Sequence, residues 1–185
     1  MTDQYEKNPA ITIITHRNYD RIDNVSVFLI ASPIIKKWHP QLTIGLQKQW
    51  MDIEHNSRML SMDRPLFIGR FNNGIQFPYG WTLHVDLFFQ GKGDFQNIYI
   101  NKNVFMMDAS LTKSFFDDRL SFNLQGIDLT HGRKDGNVIY NKHMDLTVNN
   151  VTDSREVRLT VRYKFNTTKN KYKGKGAAEE EIRRL

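Results

Sequence analysis

Apolar and polar positions alternate with a period of two along most of this chain, and helical periodicity is almost absent. Leu42, Ile44 and Leu46 alternate with Thr43, Gly45 and Gln47. Trp81, Leu83, Val85, Leu87 and Phe89 alternate with Thr82, His84, Asp86 and Gln90. Phe105, Met107, Ala109 and Leu111 alternate with Met106, Asp108, Ser110 and Thr112, and Val157, Leu159, Val161, Tyr163 and Phe165 with Arg158, Thr160, Arg162 and Lys164. Successive side chains of a strand point to opposite faces, so each segment presents one apolar and one polar face. The pattern predicts about eight strands, over 9–16, 23–35, 41–52, 65–77, 81–91, 98–115, 119–130 and 138–165. The last is too long for one uniform strand and predicts a break near 149–154.

The connections take turns between two kinds. Short ones fall at 36–40, 78–80 and 116–118, and long polar ones at 16–23, 52–64, 91–97 and 130–137. Gly, Asp and Asn supply turn chemistry in most of them.

Alternation alone does not say which face is outside, because a soluble barrel gives the same pattern. Three features favour the apolar face outside. Short turns at one end and long loops at the other describe a transmembrane β-barrel, and the strand lengths suit the residues needed per crossing. Trp38, Phe77, Tyr79, Trp81, Phe115, Phe116, Tyr163 and Phe165 gather at strand ends on the short-turn side, as in a membrane-interface girdle. Trp50, Phe89 and Tyr99 lie near the other end and suggest a second girdle. With eight strands, the last one ends on the periplasmic side.

Composition narrows this further. The chain has 185 residues and no cysteine, which excludes disulfides and thiolate metal sites. Mean hydropathy is −0.55, and no segment approaches an apolar membrane-spanning helix, but barrel strands escape a hydropathy scan. The net charge of +6 is partly in a Lys/Gly/Glu tail over 166–185 and otherwise spread along strands, so no nucleic-acid partner is expected. Residues 1–14 show no secretory signal, from which a cytoplasmic chain or the back part of a longer protein is expected.

The end of the chain carries a resemblance. Arg158, Thr160, Tyr163 and Phe165 resemble the terminal-strand signal read by the outer-membrane barrel-assembly machinery, with Thr160 where Gly is usual. The stretch DSREVRLTVRYKFNTTKNKYKGKGAAEEEIRRL resembles the C-terminal end of the Bacteroidota outer-membrane β-barrel proteins related to TonB-dependent receptors. FFDDRLSFNLQGIDL (115–129), RNYDRID (17–23), KKWHPQLTIGLQKQW (36–50) and FPYGWTLHVDLFFQGKG (77–93) resemble the same family's strand-turn-strand units. The resemblance implies an all-β, antiparallel, up-and-down transmembrane barrel segment over 1–165, the C-terminal part of a larger barrel, with a periplasmic basic tail over 166–185. It implies uptake of bulky nutrients by intact relatives. The implied partners are the lipid bilayer of the outer membrane, the assembly machinery and a missing N-terminal barrel and plug part. Arg70, His84, Asp86, Asp108, Arg158, Arg162 and Lys164 are expected to face the lumen or plug.

The six histidines show no ligand spacing, and no nucleophile motif or phosphate loop is present, so no metal, cofactor or catalysis is expected. His84 and Asp86 share a strand face as an acid–base pair would, but lumen polarity explains them better. Two other functions stay open: a self-standing small outer-membrane barrel with a structural or adhesion role, and a soluble β-barrel binding an apolar ligand.

Overall fold

A computed structural model describes residues 2–5, 8–14 and 19–165, with side chains from Tyr19 to Phe165. β1 (Thr2–Tyr5) pairs antiparallel with β2 (Asn8–Ile14). The main sheet is a seven-stranded antiparallel wall. Its strands in chain order are β3 (Asp23–Ala31), β4 (Trp38–Trp50), β7 (Leu66–Phe77), β8 (Trp81–Gln90), β11 (Val104–Phe115), β12 (Leu120–Ile127) and β15 (Glu156–Tyr163). Each pairs with its predecessor in the wall, which leaves β3 and β15 as edges. Among the described residues no helix is long and apolar enough to cross a membrane.

Two of the three short turns fall where the sequence placed them, at 78–80 and 116–118, and their backbone explains the residues used; the turn expected at 36–40 instead lies within 32–37, because β3 ends at Ala31 and Trp38, His39 and Pro40 already pair with β7. Tyr79 and Gly80, between β7 and β8, have φ of 63° and 76°. A Cβ at Gly80 would come within 2.9 Å of the Ser114 carbonyl oxygen, so this turn needs glycine for space and conformation. Phe116, Asp117 and Asp118 are all left-handed in the turn between β11 and β12, a conformation that Asp tolerates.

At the opposite end the polar connections are themselves folded. Residues 52–64 hold the hairpin β5 (Asp52–His55) and β6 (Arg58–Ser61). β9 (Gly93–Phe95), β10 (Ile98–Ile100), β13 (Lys134–Tyr140) and β14 (Asp145–Val151) form a separate four-stranded sheet. Three expected strands are therefore corrected. The segment 98–115 is β10 plus β11, broken at 101–103, where Asn101 N donates to Gly136 O at 2.9 Å and Asn103 Oδ1 accepts from Lys92 N at 3.1 Å. The segment 138–165 is the end of β13 followed by β14 and β15, and the expected break separates the last two. The segment 9–16 overlaps β2, which pairs with β1 rather than with the wall. The tail over 166–185 lies outside the described residues.

Burial is distributed opposite to a soluble sandwich. Met51, Ile53 and Met62 form the core cluster, packed by Tyr19, Ile22, Leu60, Tyr99 and Tyr140, all at the long-loop end. Along the wall the large apolar side chains stay exposed, among them Leu29 at 63% and Leu159 at 65%. A soluble protein rarely leaves so continuous an apolar surface uncovered. The hairpin of β5 and β6 and the four-stranded sheet together make a cap at the long-loop end, and Tyr99, expected in a second girdle, instead packs against its core, with the Arg64 guanidinium 3.8 Å from its ring centroid.

Candidate functional site

Residues paired directly across an antiparallel ladder lie on the same face, so the register assigns both surfaces of the wall. One face is built from rows of apolar residues. Leu29, Ile44, Gly69, Phe89 and Phe105 form one row, and Ala31, Leu42, Phe71, Leu87 and Met107 the next. Trp38, Ile75, Leu83, Leu111, Leu124 and Leu159 form another, nearer the short turns. The rows of the opposite face are polar. Gln41, Asn72, Asp86 and Asp108 stand in register, as do His39, Gly74, His84, Ser110, Gln125 and Arg158, and then Gln76, Thr82, Thr112, Asn123 and Thr160.

The aromatics expected at the short-turn rim divide into two groups. Trp38, Phe77, Trp81 and Phe115 are on the apolar face. Tyr79 and Phe116 are in the turns themselves, both highly exposed. Tyr163 ends the apolar face of β15, and its ring meets Phe165 edge-on with centroids 4.6 Å apart. Trp50 and Phe89 lie on the same apolar face toward the long-loop end.

The polar positions named from the sequence share the other face. Arg70 is paired with Phe88 across β7 and β8, its guanidinium 5.2 Å from that ring. Asp86 and Asp108 are paired across β8 and β11. Arg70, Asp86, Asp108 and Arg133 line one cavity of about 280 Å³ on this face. His84 and Asp86 line a neighbouring cavity with His39 and Gln41, but His84 stands against Gly74 and Asp86 against Asn72, in separate rows. Arg158 is met by Glu156 on its own strand, at 2.8 and 3.0 Å. Arg162 is paired with Ser121, and Lys164 follows the end of β15 with its N–H bonded to Arg119 O at 2.8 Å.

The long-loop end of the polar face is covered by the small sheet. Leu66 and Val104, in phase with the polar residues, are buried there. A cavity of about 430 Å³ lies between Phe88, Val104 and Met106 of the wall and Ile98, Ile100 and Asn137 of the small sheet. Asp128, just past β12, anchors this excursion. It is fully buried, takes hydrogen bonds from Gly132 N at 2.7 Å, Arg133 N at 3.4 Å and Ser154 Oγ, and donates its own N–H to Asp108 Oδ1 at 2.7 Å. Burial alone would raise this carboxyl; the bonds from Ser154, Gly132 and Arg133, with His131 nearby, hold it below its ordinary value.

Among the residues that break the apolar face, two near its short-turn half do not stand out in the sequence. Asn73 lies in the row of Pro40 and Val85, and its Oδ1 accepts the indole N–H of Trp38. Lys113 lies in the row of Trp81 and Phe122. Its ammonium donates to the Tyr79 carbonyl and sits 5.1 Å from the ring centroids of both Trp81 and Phe115. The signal was there: a cation in phase between Leu111 and Phe115. Among the described residues no cluster of metal-ligating side chains forms.

A family model described as the outer membrane protein beta-barrel family matches residues 1–163. No curated protein and no solved structure matches the chain.

Proposed function

We propose, from the premise that the chain belongs to the outer membrane protein β-barrel family, that it forms one side of a wider barrel related to the TonB-dependent receptors, through which a bulky nutrient is taken up. The family places the chain in the cell outer membrane, against lipid. Which barrel it completes is our reading.

One observation carries that reading: the polarity of the two edges. Seven strands alternate in direction, so β3 and β15 run the same way. β3 therefore has no antiparallel closure onto β15. Unpaired backbone in hydrocarbon costs several kcal/mol per group, so both edges need partners. A wall closed only by antiparallel pairs needs an odd number of further strands, which a wider barrel supplies. In this reading the polar face lines the lumen against a plug, the cap meets the ligand first, and Arg158, Thr160, Tyr163 and Phe165 on and just after β15 are read by the assembly machinery. The role is passage and structure rather than catalysis.

A self-standing barrel would instead need β2 moved from β1 onto β3, which would bring the wall to an even count. Paired cysteines in the cysteine-free chain decide between them. One goes at Thr160 in β15 and the other at successive positions of β2 or β3. The wider wall predicts no disulfide between β15 and either strand in the assembled protein. A disulfide formed in high yield would mean that the chain closes on itself.

A further inference from the structure

The two lysines on the apolar face mark its two ends. Lys48 of β4 is paired with Val25, beside the long loops, and Lys113 of β11 with Trp81, beside the short turns. Between their rows lie the rows of Leu46, Ile44, Leu42, Pro40 and Trp38. At two residues of strand per row this is about ten residues, the length of one crossing. Each lysine lies over a tryptophan on its own side, Lys48 at 5.3 Å from the Trp50 ring centroid and Lys113 at 5.1 Å from Trp81.

They differ in how their charge is met. Lys48 Nζ has a carboxylate, Asp63, at 4.0 Å. Lys113 has no carboxylate within salt-bridge distance among the described residues; the Tyr79 carbonyl takes one of its three donors. The remaining donors are left on the outer face at the short-turn rim, held in place between Trp81 and Phe115. Short turns are periplasmic in outer-membrane barrels, so this cation lies at the headgroup level of the periplasmic leaflet. An ammonium there, flanked by interfacial aromatics and with no carboxylate beside it among the described residues, is complementary to a lipid phosphate.

We infer that Lys113, with Trp81, Phe115 and the Tyr79 turn, forms a binding site for the phosphate of an anionic phospholipid in the periplasmic leaflet. The inference rests on the apolar face meeting lipid and not on the width of the barrel.

The test uses the protein purified from its own outer membrane in mild detergent. It is mixed with equal amounts of phosphatidylglycerol and phosphatidylcholine, and retained lipid is read by native mass spectrometry. Wild type is expected to retain phosphatidylglycerol about fivefold over phosphatidylcholine, the factor one basic residue is worth near an anionic surface. Lys113→Gln is expected to lose the preference, while Lys113→Arg and Lys48→Gln keep it. Equal retention of both lipids by wild type overturns the proposal without any variant. So does a preference that survives in Lys113→Gln, or one abolished by millimolar inorganic phosphate, which would make the site one for the free anion. Retention of neither lipid also overturns it, and counts against the lipid-facing wall itself.

Discussion

Asp86 and Asp108 face each other directly across β8 and β11, two carboxylates on the polar side of the wall. Only Asp108 has a second duty, accepting the N–H of buried Asp128 at 2.7 Å. Like charges directly opposite are unfavourable by a fraction of a kcal/mol. Asp86→Asn is therefore expected to stabilise the folded protein by up to about 0.5 kcal/mol. Asp108→Ala is expected to destabilise it by about 1–3 kcal/mol, because a buried donor loses its acceptor. Urea midpoints of the two variants in one detergent check the opposite signs.

The Asp128 carboxyl is held below its ordinary value in the fold. A depressed folded value contributes stability that is present above the unfolded value and lost as pH falls through the folded one. The cap excursion is thus expected to be firm at neutral pH and to loosen below about pH 4. Protection of the Gly132 and Arg133 amides, measured against the intrinsic exchange rate at each pH, should fall there in wild type. Asp128→Asn should show low protection at every pH, with no step.

A charge placed on either face of the wall separates lipid from lumen. Leu42 and Gln41 are neighbours on β4 with opposite orientation. Leu42→Arg is expected to cost about 2–4 kcal/mol, the value for an arginine on a lipid-facing barrel position near the midplane. Gln41→Arg is expected to stay within about 0.5 kcal/mol of wild type. Equal costs would argue against the assignment of faces.

The cap holds the conventional core, and truncation there should behave as in a soluble protein. Met62 is 0% exposed and Leu159 65% exposed. Met62→Ala is expected to cost about 2–5 kcal/mol through the cavity it leaves. Leu159→Ala creates no cavity and is expected to cost under about 1 kcal/mol. Unfolding midpoints of the two variants in the same micelles check the difference.

The wall was legible because its strands are long and mostly alternating. The stretches Trp81–Gln90 and Leu66–Phe77 carry that signal through several repeats, and both match expectation closely. The cap was not legible. Its strands are three to seven residues long, too short for a period of two to stand out from a polar loop. Its core draws on Met51 and Met62, which lie outside any alternating run. Tyr99 is hidden for the same reason, since position along the chain does not show that 98–100 leaves the wall. Lys113 lies beyond Leu111, where the clear alternation of β11 ends; a charge inside an apolar phase is a signal once the phase is carried to the strand's end.

In the proposed barrel the apolar rows face lipid and the polar rows face a watery lumen. Single cysteines at Gln41 and Leu42, His84 and Val85, and Ser110 and Leu111 each carry a nitroxide in the outer-membrane-embedded protein, and collision rates with oxygen and with a nickel chelate are compared. Spins at Leu42, Val85 and Leu111 are predicted to favour oxygen, which partitions into lipid, and those at Gln41, His84 and Ser110 to favour the chelate. The reverse alternation would contradict the account.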